Sequence, residues 1–314
     1  REKRRKHTNN KLNFFILTPI LFFYILENNR FPKIKQVEYS VNYDNILIKI
    51  MKKNIVLKIA YAGQYFFGSQ KQRDFYTVQG ELERRLSGFL GEKIQTTFAS
   101  RTDRGVHAVG NYASFSTESN IPAEKIYRLN RSLKHIRIRK VFTSSDDFSA
   151  RHSARGKIYM YQIYTKKAKN PFIEDYFWHT GVTPDTELIK NSMEQFIGEH
   201  DFQAFSKKRD ERENTVRTIY SIKMVTGSNT IRFFIRGNSF LYNQIRFMLY
   251  SLNEIGRRRL PPDYISYMLK NGSDSNRRLT GKALPGGLFL VNVFYNEPLN
   301  FIREEKNEQQ DFSA

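Results

Sequence analysis

The sequence predicts an α+β fold in which two similar α/β subdomains share a largely antiparallel sheet, with helices on one face and a central basic cleft. Two observations favour this fold. Segments with strand-like and helix-like patterns alternate along the chain, and this succession occurs twice with similar spacing. The 314 residues are 39% apolar and include 26 Phe and 18 Tyr, which is enough to build a packed core.

The first half of the predicted sheet begins at Ile55–Tyr61, a β-branched apolar run typical of a half-buried strand. A loop containing Gly63 and Gly68 follows. Thr77 is then predicted to cap a helix with one apolar stripe, formed by Val78, Leu82, Leu86, Phe89 and Leu90. The remaining elements of this half are strands at 96–99, 111–116 and 136–142, and a helix with Pro122 in its first turn and Ile126, Leu129 and Leu133 on its apolar side.

The second half repeats this pattern of strands and helices. The predicted strands are Tyr159–Thr165, a hairpin of 219–225 and 230–236 around Gly227, and Gly287–Tyr295. The predicted helices are Pro184–Ile197, Phe240–Ile255 and Pro262–Leu269. A polar tail after Pro298 is expected to be frayed.

The domain organisation follows from these elements. Residues 1–50 are predicted to be an extension outside the folded domain, 51–155 the N-terminal subdomain with the candidate catalytic loop, 156–298 the C-terminal subdomain, and 299–314 a polar tail. The apolar stretch Leu12–Leu26 has about 15 residues, whereas a membrane-spanning helix needs roughly 20. A membrane anchor is therefore the less favoured alternative for residues 1–50.

The charge balance indicates a polyanionic partner. There are 52 Lys and Arg against 31 Asp and Glu, a formal net charge of +21, and nucleic acid is the leading candidate. A solvated basic face is the plainer alternative. The chain has no cysteine, which excludes disulfides, thiolate metal sites and a cysteine nucleophile and is compatible with a cytoplasmic location. The six histidines show no metal-ligand spacing, so no metal site is expected.

One loop concentrates the residues that could carry chemistry. Ser100-Arg101-Thr102-Asp103-Arg104-Gly105-Val106-His107-Ala108 lies between two predicted strands. Flanking arginines lower the pKa of a carboxylate, so Asp103 is expected to stay ionised and to act as a nucleophile or a charge stabiliser. Gly105 lets the backbone turn sharply. The plainer interpretation is an ordinary turn held by an Asp–Arg ion pair.

Other short motifs follow in a fixed order along the chain. They are Gly68-x-Gln70-x-Gln72, Phe148-Ser149-Ala150-Arg151 before Tyr159-Met160-Tyr161, Glu199-His200-Asp201-Phe202, Asn238-Ser239-Phe240-Leu241-x-x-Gln244-Ile245-Arg246, and Gly287-Leu288-Phe289-Leu290. Together with the Asp103 loop they resemble the TruA family of tRNA pseudouridine synthases over about residues 55–295. The residues of the Asp103 loop and the segment Arg217-Thr218-Ile219 look more like those of the archaeal branch of this family.

The resemblance implies the pseudouridine synthase fold and a cofactor-free isomerisation of uridine to pseudouridine in the tRNA anticodon stem-loop, in the region of positions 38–40. Asp103 matches the catalytic aspartate, Tyr159 the tyrosine that stacks on the target base, and Arg246 the basic residue that pairs with the aspartate. Arg101 occupies the place of an arginine implicated in holding the flipped nucleotide. The resemblance also implies a homodimer that engages tRNA.

Three departures from the family pattern put substrate choice more in question than activity. The family commonly has Asp where this chain has Ala62, an aromatic residue where it has Ser69, and paired arginines where it has Lys157 and Ile158. The alternative from another functional class is a non-catalytic RNA-binding or RNA-chaperone protein on the same fold. Binding alone needs no aspartate beside a tyrosine and an arginine, which favours the enzyme.

Overall fold

The computed structural model describes residues 52–119, 121–207, 214–272, 281–296 and 299–302, with the side chains of 301 and 302 excepted. These residues belong to one compact unit. Its strands are β1 Lys53–Tyr61, β2 Thr97–Phe98, β3 His107–Thr117, β4 Ile136–Ser144, β5 Ala154–Tyr164, β6 Trp178–His179, β7 Gly198–Asp201, β8 Val216–Thr226, β9 Thr230–Gly237, β10 Leu288–Tyr295 and β11 Asn300–Ile302. Its α-helices are α1 Val78–Leu90, α2 Thr186–Met193, α3 Gln244–Gly256 and α4 Tyr264–Asn271.

All of these strands lie in one sheet, with the order β11-β4-β1-β3-β10-β5-β9-β8-β7 and with β2 and β6 paired to β3 and β5. The pairs are antiparallel except β10 with β3 and β6 with β5. β10, the penultimate strand in sequence, lies at the centre of the sheet between β3 and β5. The mixed α/β architecture with one large sheet agrees with the predicted fold class.

The local sequence accounts for α1 in physical terms. The Thr77 side chain accepts a hydrogen bond from the Gly80 N–H at 3.2 Å, as expected for a helix cap. Leu82 and Leu86 are fully buried and belong to the same core as the apolar side chains of β1. The helix ends at Gly91, which has a φ of 73° and adopts the left-handed conformation that favours glycine.

Two predicted helices differ from the structure. The segment after Pro122 forms a 3-10 helix, Ala123–Arg131, with Pro122 just before it. The predicted helix Phe240–Ile255 begins only at Gln244, because Asn243 has a φ of 63° and this left-handed conformation cannot continue an α-helix backwards. Tyr242 and Asn243 therefore form a turn in front of α3.

The sheet also contains short strands that the sequence does not predict. β6 and β7 have two and four residues and form only beside β5 and β8. The predicted frayed tail after Pro298 is wrong for Asn300–Ile302, since this segment pairs with β4 as β11. The predicted boundary between 155 and 156 falls within β5, and the sheet continues across it.

Two predictions lie outside the described residues, namely that for 1–50 and that for the tail from 303 onward. Within the described ranges, the helices are all too short or too polar to cross a bilayer.

Candidate active site

The Asp103 loop connects β2 to β3 and contains a tight turn. The Asp103 carbonyl accepts a hydrogen bond from the Val106 N–H at 3.1 Å. Gly105, the third residue of this turn, has a φ of 81°, a value that β-turns of type II require at that position. A Cβ at Gly105 would also lie 3.0 Å from the Pro285 side chain. The glycine thus fixes the direction in which the preceding aspartate leaves the loop.

The Gly68-Ser69 segment clamps the other side of the loop. The Ser69 N–H donates to the Thr102 carbonyl at 3.0 Å, and the Thr102 N–H donates to the Ser69 hydroxyl at 2.8 Å. A Cβ at Gly68, whose φ is 95°, would lie 3.0 Å from the same carbonyl. Ser69, one of the departures from the family pattern, is buried and anchors the residue next to Asp103.

A buried polar network supports the loop from below. The Asn111 side-chain amide donates to the Ser100 carbonyl at 2.9 Å and to the Tyr61 hydroxyl at 3.1 Å. The Tyr61 hydroxyl lies 2.8 Å from the Thr102 hydroxyl and can donate to it, since either oxygen can be the donor of this hydrogen bond. Burial raises the pKa of Tyr61 to about 12, so this donor keeps its proton at neutral pH.

Arg246 on α3 approaches Asp103 from the other half of the chain. Its Nη1 lies 3.5 Å from the Asp103 Oδ2, and the two side chains are 9% and 25% exposed. The guanidinium is held by two further acceptors, the Ala283 carbonyl at 2.8 Å from Nε and the Asn243 Oδ1 at 2.8 Å from Nη1. These contacts place a rigid cation beside a carboxylate that is open to solvent on one side.

Tyr159 on β5 completes the group. Its hydroxyl lies 2.9 Å from the Ser100 hydroxyl, and its ring packs edge-on against Phe240 with the ring centroids 5.1 Å apart. Burial raises the pKa of Tyr159 well above its ordinary value, and the nearby Tyr61 and Asp103 also raise it. Tyr159 is therefore a neutral phenol at physiological pH, and it lies close enough to Asp103 for the negative charge of the carboxylate to raise the pKa of the phenol.

The structure brings together three of the four predicted site residues, namely Asp103, Tyr159 and Arg246. Arg101 lies in the same loop as an exposed side chain. Sequence reasoning missed Asn243, whose side chain holds Arg246. Position 243 is a variable position of the Leu241-x-x-Gln244 motif. The signal that indicates its role is an asparagine at the start of a helix pattern, because asparagine tolerates the left-handed conformation.

His107 has a structural position next to this site. Its Nδ1 accepts a hydrogen bond from the Gly63 N–H at 3.1 Å, so Nε2 carries the proton and donates to the Asp175 carbonyl at 3.0 Å. Burial lowers the pKa of His107, so the ring is neutral at physiological pH. In the part of the chain that the structure describes, no group of His, Asp or Glu side chains could hold a metal ion.

The arrangement suits stabilisation of positive charge on a ligand. A partly exposed carboxylate can contact an electrophilic carbon, while the buried guanidinium favours the ionised form of that carboxylate. Tyr159 and Phe240 form an edge-on aromatic pair near the carboxylate, with Tyr159 6% exposed. The face of such a ring can take an unstacked base. Together these groups can bind a nucleoside and stabilise a cationic sugar.

Comparison with known proteins identifies the family of the chain. A family model described as tRNA pseudouridine synthase matches residues 193–296, which include Arg246. The tRNA pseudouridine synthase A of Caldicellulosiruptor saccharolyticus is 38% identical over 246 residues, which are 77% of this chain and 100% of that protein. The enzyme of the same name from Caldicellulosiruptor bescii is 36% identical with the same coverage, and that of Staphylococcus aureus strain JH1 is 34% identical over 77% of this chain and 91% of the relative.

Among solved structures, a chain in the crystal structure of a Cbf5-Nop10-Gar1 complex superposes with a TM-score of 0.34 at 13% identity, over 77% of this chain and 50% of that chain. A superposition this poor bears on neither fold nor function. The curated relatives, in contrast, match over nearly their full length at more than a third identity. This chain belongs to the TruA family of tRNA pseudouridine synthases.

Proposed function

We propose that this chain isomerises uridine to pseudouridine in the anticodon stem-loop of tRNA, in the region of positions 38–40, with Asp103 as the catalytic aspartate. The single observation that carries the proposal is the 3.5 Å contact between Asp103 and the buried Arg246, beside the Tyr159 ring. Family membership and the names of the relatives support the reaction. Nothing in a simple binding role requires this carboxylate.

The target uridine must leave its stack before its sugar can reach Asp103. In the proposed complex the base rests on the aromatic surface of Tyr159, which compensates for part of the lost stacking. Arg101 is exposed in the same loop and would contact the flipped nucleotide. The neutral phenol of Tyr159 adds no charge to the pocket, so the cationic sugar interacts mainly with Asp103.

The bond changes balance within the nucleoside. The C1′–N1 bond breaks, and the Asp103 carboxylate either bonds to C1′ or stabilises its positive charge. The uracil then rotates and C5 bonds to C1′; if the carboxylate has bonded to C1′, this Oδ–C1′ bond breaks as C5 bonds and the carboxylate is released. The proton on C5 then leaves as N1 gains one. The product has the same atoms as the substrate, so this step needs no oxidant, reductant or cofactor. The 25% exposure of Asp103 leaves room for the sugar to approach.

The test is the variant Asp103→Asn with Asp146→Asn as the matched control, because Asp146 is an exposed aspartate on the loop after β4. Unmodified tRNA is incubated with each protein, and pseudouridine is mapped by carbodiimide-primed reverse transcription. We expect Asp103→Asn to bind tRNA but to form no pseudouridine, and the control to match the parent protein. Normal turnover by Asp103→Asn contradicts the role of Asp103. An inactive parent protein that still binds tRNA favours the RNA-binding alternative.

The same proposal includes a homodimer that acts on tRNA in the cytoplasm. The net charge of +21 supports the RNA partner, and family likeness supports the dimer. Sedimentation equilibrium of the purified chain, alone and with tRNA, measures the assembly, and a monomer in both samples contradicts the dimer. The closer likeness to the archaeal branch stays a prediction, since the relatives reported above are bacterial.

A further inference from the structure

Lys157 is a half-buried lysine that lies beside the candidate active site without an anionic neighbour. It precedes Tyr159 by two residues on β5, so both side chains leave the same face of the strand, with their Cα atoms about 7 Å apart. Among the residues that the structure describes, none forms an ion pair or a hydrogen bond with the Lys157 ammonium. The charged side chains that act on it are Arg151 and Arg217, both cations.

The register of the sheet explains why these cations converge. Lys157 lies opposite Gly237 on β9, and Gly237 lies opposite Ile219 on β8. Arg217 is two residues before Ile219 on the same strand, so it leaves the sheet on the face that carries Lys157 and Tyr159. Phe240 packs on Tyr159 and lies 3.1 Å from the place of a Gly237 Cβ, which puts the aromatic pair next to the cations.

The Arg217 guanidinium is held in place by the backbone. Its Nη1 donates to the Asn214 carbonyl at 2.7 Å and to the Val216 carbonyl at 2.6 Å. Arg151 lies in the turn after Phe148 and is exposed, so it can reach a ligand on the surface. The cluster of Arg151, Lys157 and Arg217 thus has one cation held by backbone carbonyls, one exposed cation and one half-buried cation.

A second lysine in the same sheet shows how burial of an ammonium is normally compensated. Lys58 on β1 is also half-buried and also has cationic neighbours, Lys140 and Arg139. However, its Nζ donates to the Asn292 side chain at 2.8 Å and lies 5.6 Å from the centre of the Tyr112 ring. Lys157 has neither kind of contact, and burial with two adjacent guanidinium groups lowers its pKa to about 8.

Buried charges in folded proteins are paired unless function requires otherwise. We infer that the Arg151–Lys157–Arg217 cluster binds a phosphodiester of the RNA backbone next to the target uridine, and that this anion supplies the missing partner of Lys157. The inference rests on the proposed function for the identity of the RNA. One nucleotide can span the step between Tyr159 and Lys157, with its base on the ring and its phosphate on the ammonium. The cluster then sets which nucleotide enters the pocket.

The test compares tRNA binding by the parent chain with Lys157→Met, Lys157→Arg and the control Lys223→Met, an exposed lysine on β8. Dissociation constants are measured by fluorescence anisotropy over a range of KCl concentrations. We expect Lys157→Met to weaken binding about tenfold, as for a lost hydrogen bond to a charged group, and to reduce the slope of log Kd against log salt by about one ion. Lys157→Arg and Lys223→Met should bind like the parent chain. An unchanged Kd and slope for Lys157→Met overturn the inference.

Thermal unfolding without RNA gives a second, independent readout. Because Lys157 has no partner in the free protein, Lys157→Met is expected to raise the Tm by about 2–4 °C. A Lys157→Met variant with a lowered Tm contradicts the inference, since the lysine would then have a stabilising partner in the free chain. Binding and Tm are independent of turnover. If the parent chain forms no pseudouridine while Lys157 still contributes to tRNA affinity, the proposed reaction fails and the phosphate site stands.

Discussion

Arg246 is fixed in space before it meets Asp103. Two of its three acceptors, the Ala283 carbonyl and the Asn243 side chain, lie at 2.8 Å, while the Asp103 carboxylate lies at 3.5 Å. A guanidinium can bind all three because its donors point in several fixed directions, whereas an ammonium presents one compact charge. The contact to the carboxylate is thus the longest of the three.

The variant Arg246→Lys tests this division of contacts. We expect the rate of pseudouridine formation under single-turnover conditions to fall about 100-fold, in the range found for loss of one preorganised donor. Affinity for tRNA should stay unchanged, because the Arg246 side chain is only 9% exposed and contacts the Asp103 carboxylate. Tritium release from C5 of labelled uridine in tRNA measures the rate. Arg139→Lys, on the exposed side of β4, is the control, and equal rates for both variants would contradict the fixed-guanidinium argument.

The lowered pKa of Lys157 predicts how the stability of the folded chain depends on pH. Its pKa is about 8 in the folded chain, against an ordinary value of 10.5, so between these values the unfolded chain binds more protons. The buried Lys157 ammonium therefore lowers the free energy of unfolding by its full amount below pH 8. This penalty disappears as the pH rises from about 8 to 10.5, so the folded chain becomes more stable across that window. The Tm difference between Lys157→Met and the parent chain should shrink across that window. A difference that is constant from pH 7 to pH 10 would contradict the lowered pKa.

At the scale of single elements, the start of α3 links fold to site. Asn243 has a φ of 63°, and this turn aims its side chain at Arg246 instead of at the helix backbone. The apolar pattern from Phe240 onward predicts a helix that begins too early, because hydrophobic spacing carries no information about one left-handed residue. The strands β6 and β7 are missed for a similar reason, since two to four residues become strands only through their neighbours.

Substitutions of Asn243 separate backbone strain from the side-chain contact. Asn243→Gly keeps the left-handed conformation but loses the acceptor for Arg246, so we expect near-normal stability and slower turnover. Asn243→Ala loses the acceptor for Arg246 and also disfavours the left-handed conformation, which should lower the free energy of unfolding by a further ~1–2 kcal/mol. Urea unfolding and single-turnover rates measure the two effects. Equal stability of the glycine and alanine variants would show that the backbone at Asn243 does not require the left-handed conformation.

At the scale of the whole molecule, the sheet joins the two halves of the chain more closely than the sequence predicts. The repeated order of strands and helices predicts the fold class, and the family motifs identify Asp103, Tyr159 and Arg246. Neither predicts that β10 lies between β3 and β5 or that β11 pairs with β4. Such long-range pairings depend on the tertiary structure, and no local pattern near Asn300 indicates that its partner is Thr143, 157 residues earlier.

This topology predicts that the described unit unfolds in one step. The N-terminal half obtains its strand neighbours β10 and β11 from the C-terminal end, so destabilising either half should unfold both. Trp178, the single tryptophan, lies in β6 and reports on the C-terminal half, whereas Leu82 is fully buried in α1. Leu82→Ala should cost about 2–5 kcal/mol.

The experiment follows the full chain by Trp178 fluorescence and by far-ultraviolet circular dichroism during thermal unfolding. In one cooperative unit, Leu82→Ala lowers the midpoint of both signals equally, although Leu82 lies in the other half from Trp178. Phe172→Ala is the control, since that side chain is 88% exposed and should leave both midpoints in place. A fluorescence midpoint that does not move in Leu82→Ala would mean that two subdomains, divided near residue 155, unfold separately. The active site would then form at a junction between independent units, and Arg246 could separate from Asp103 without unfolding of either half.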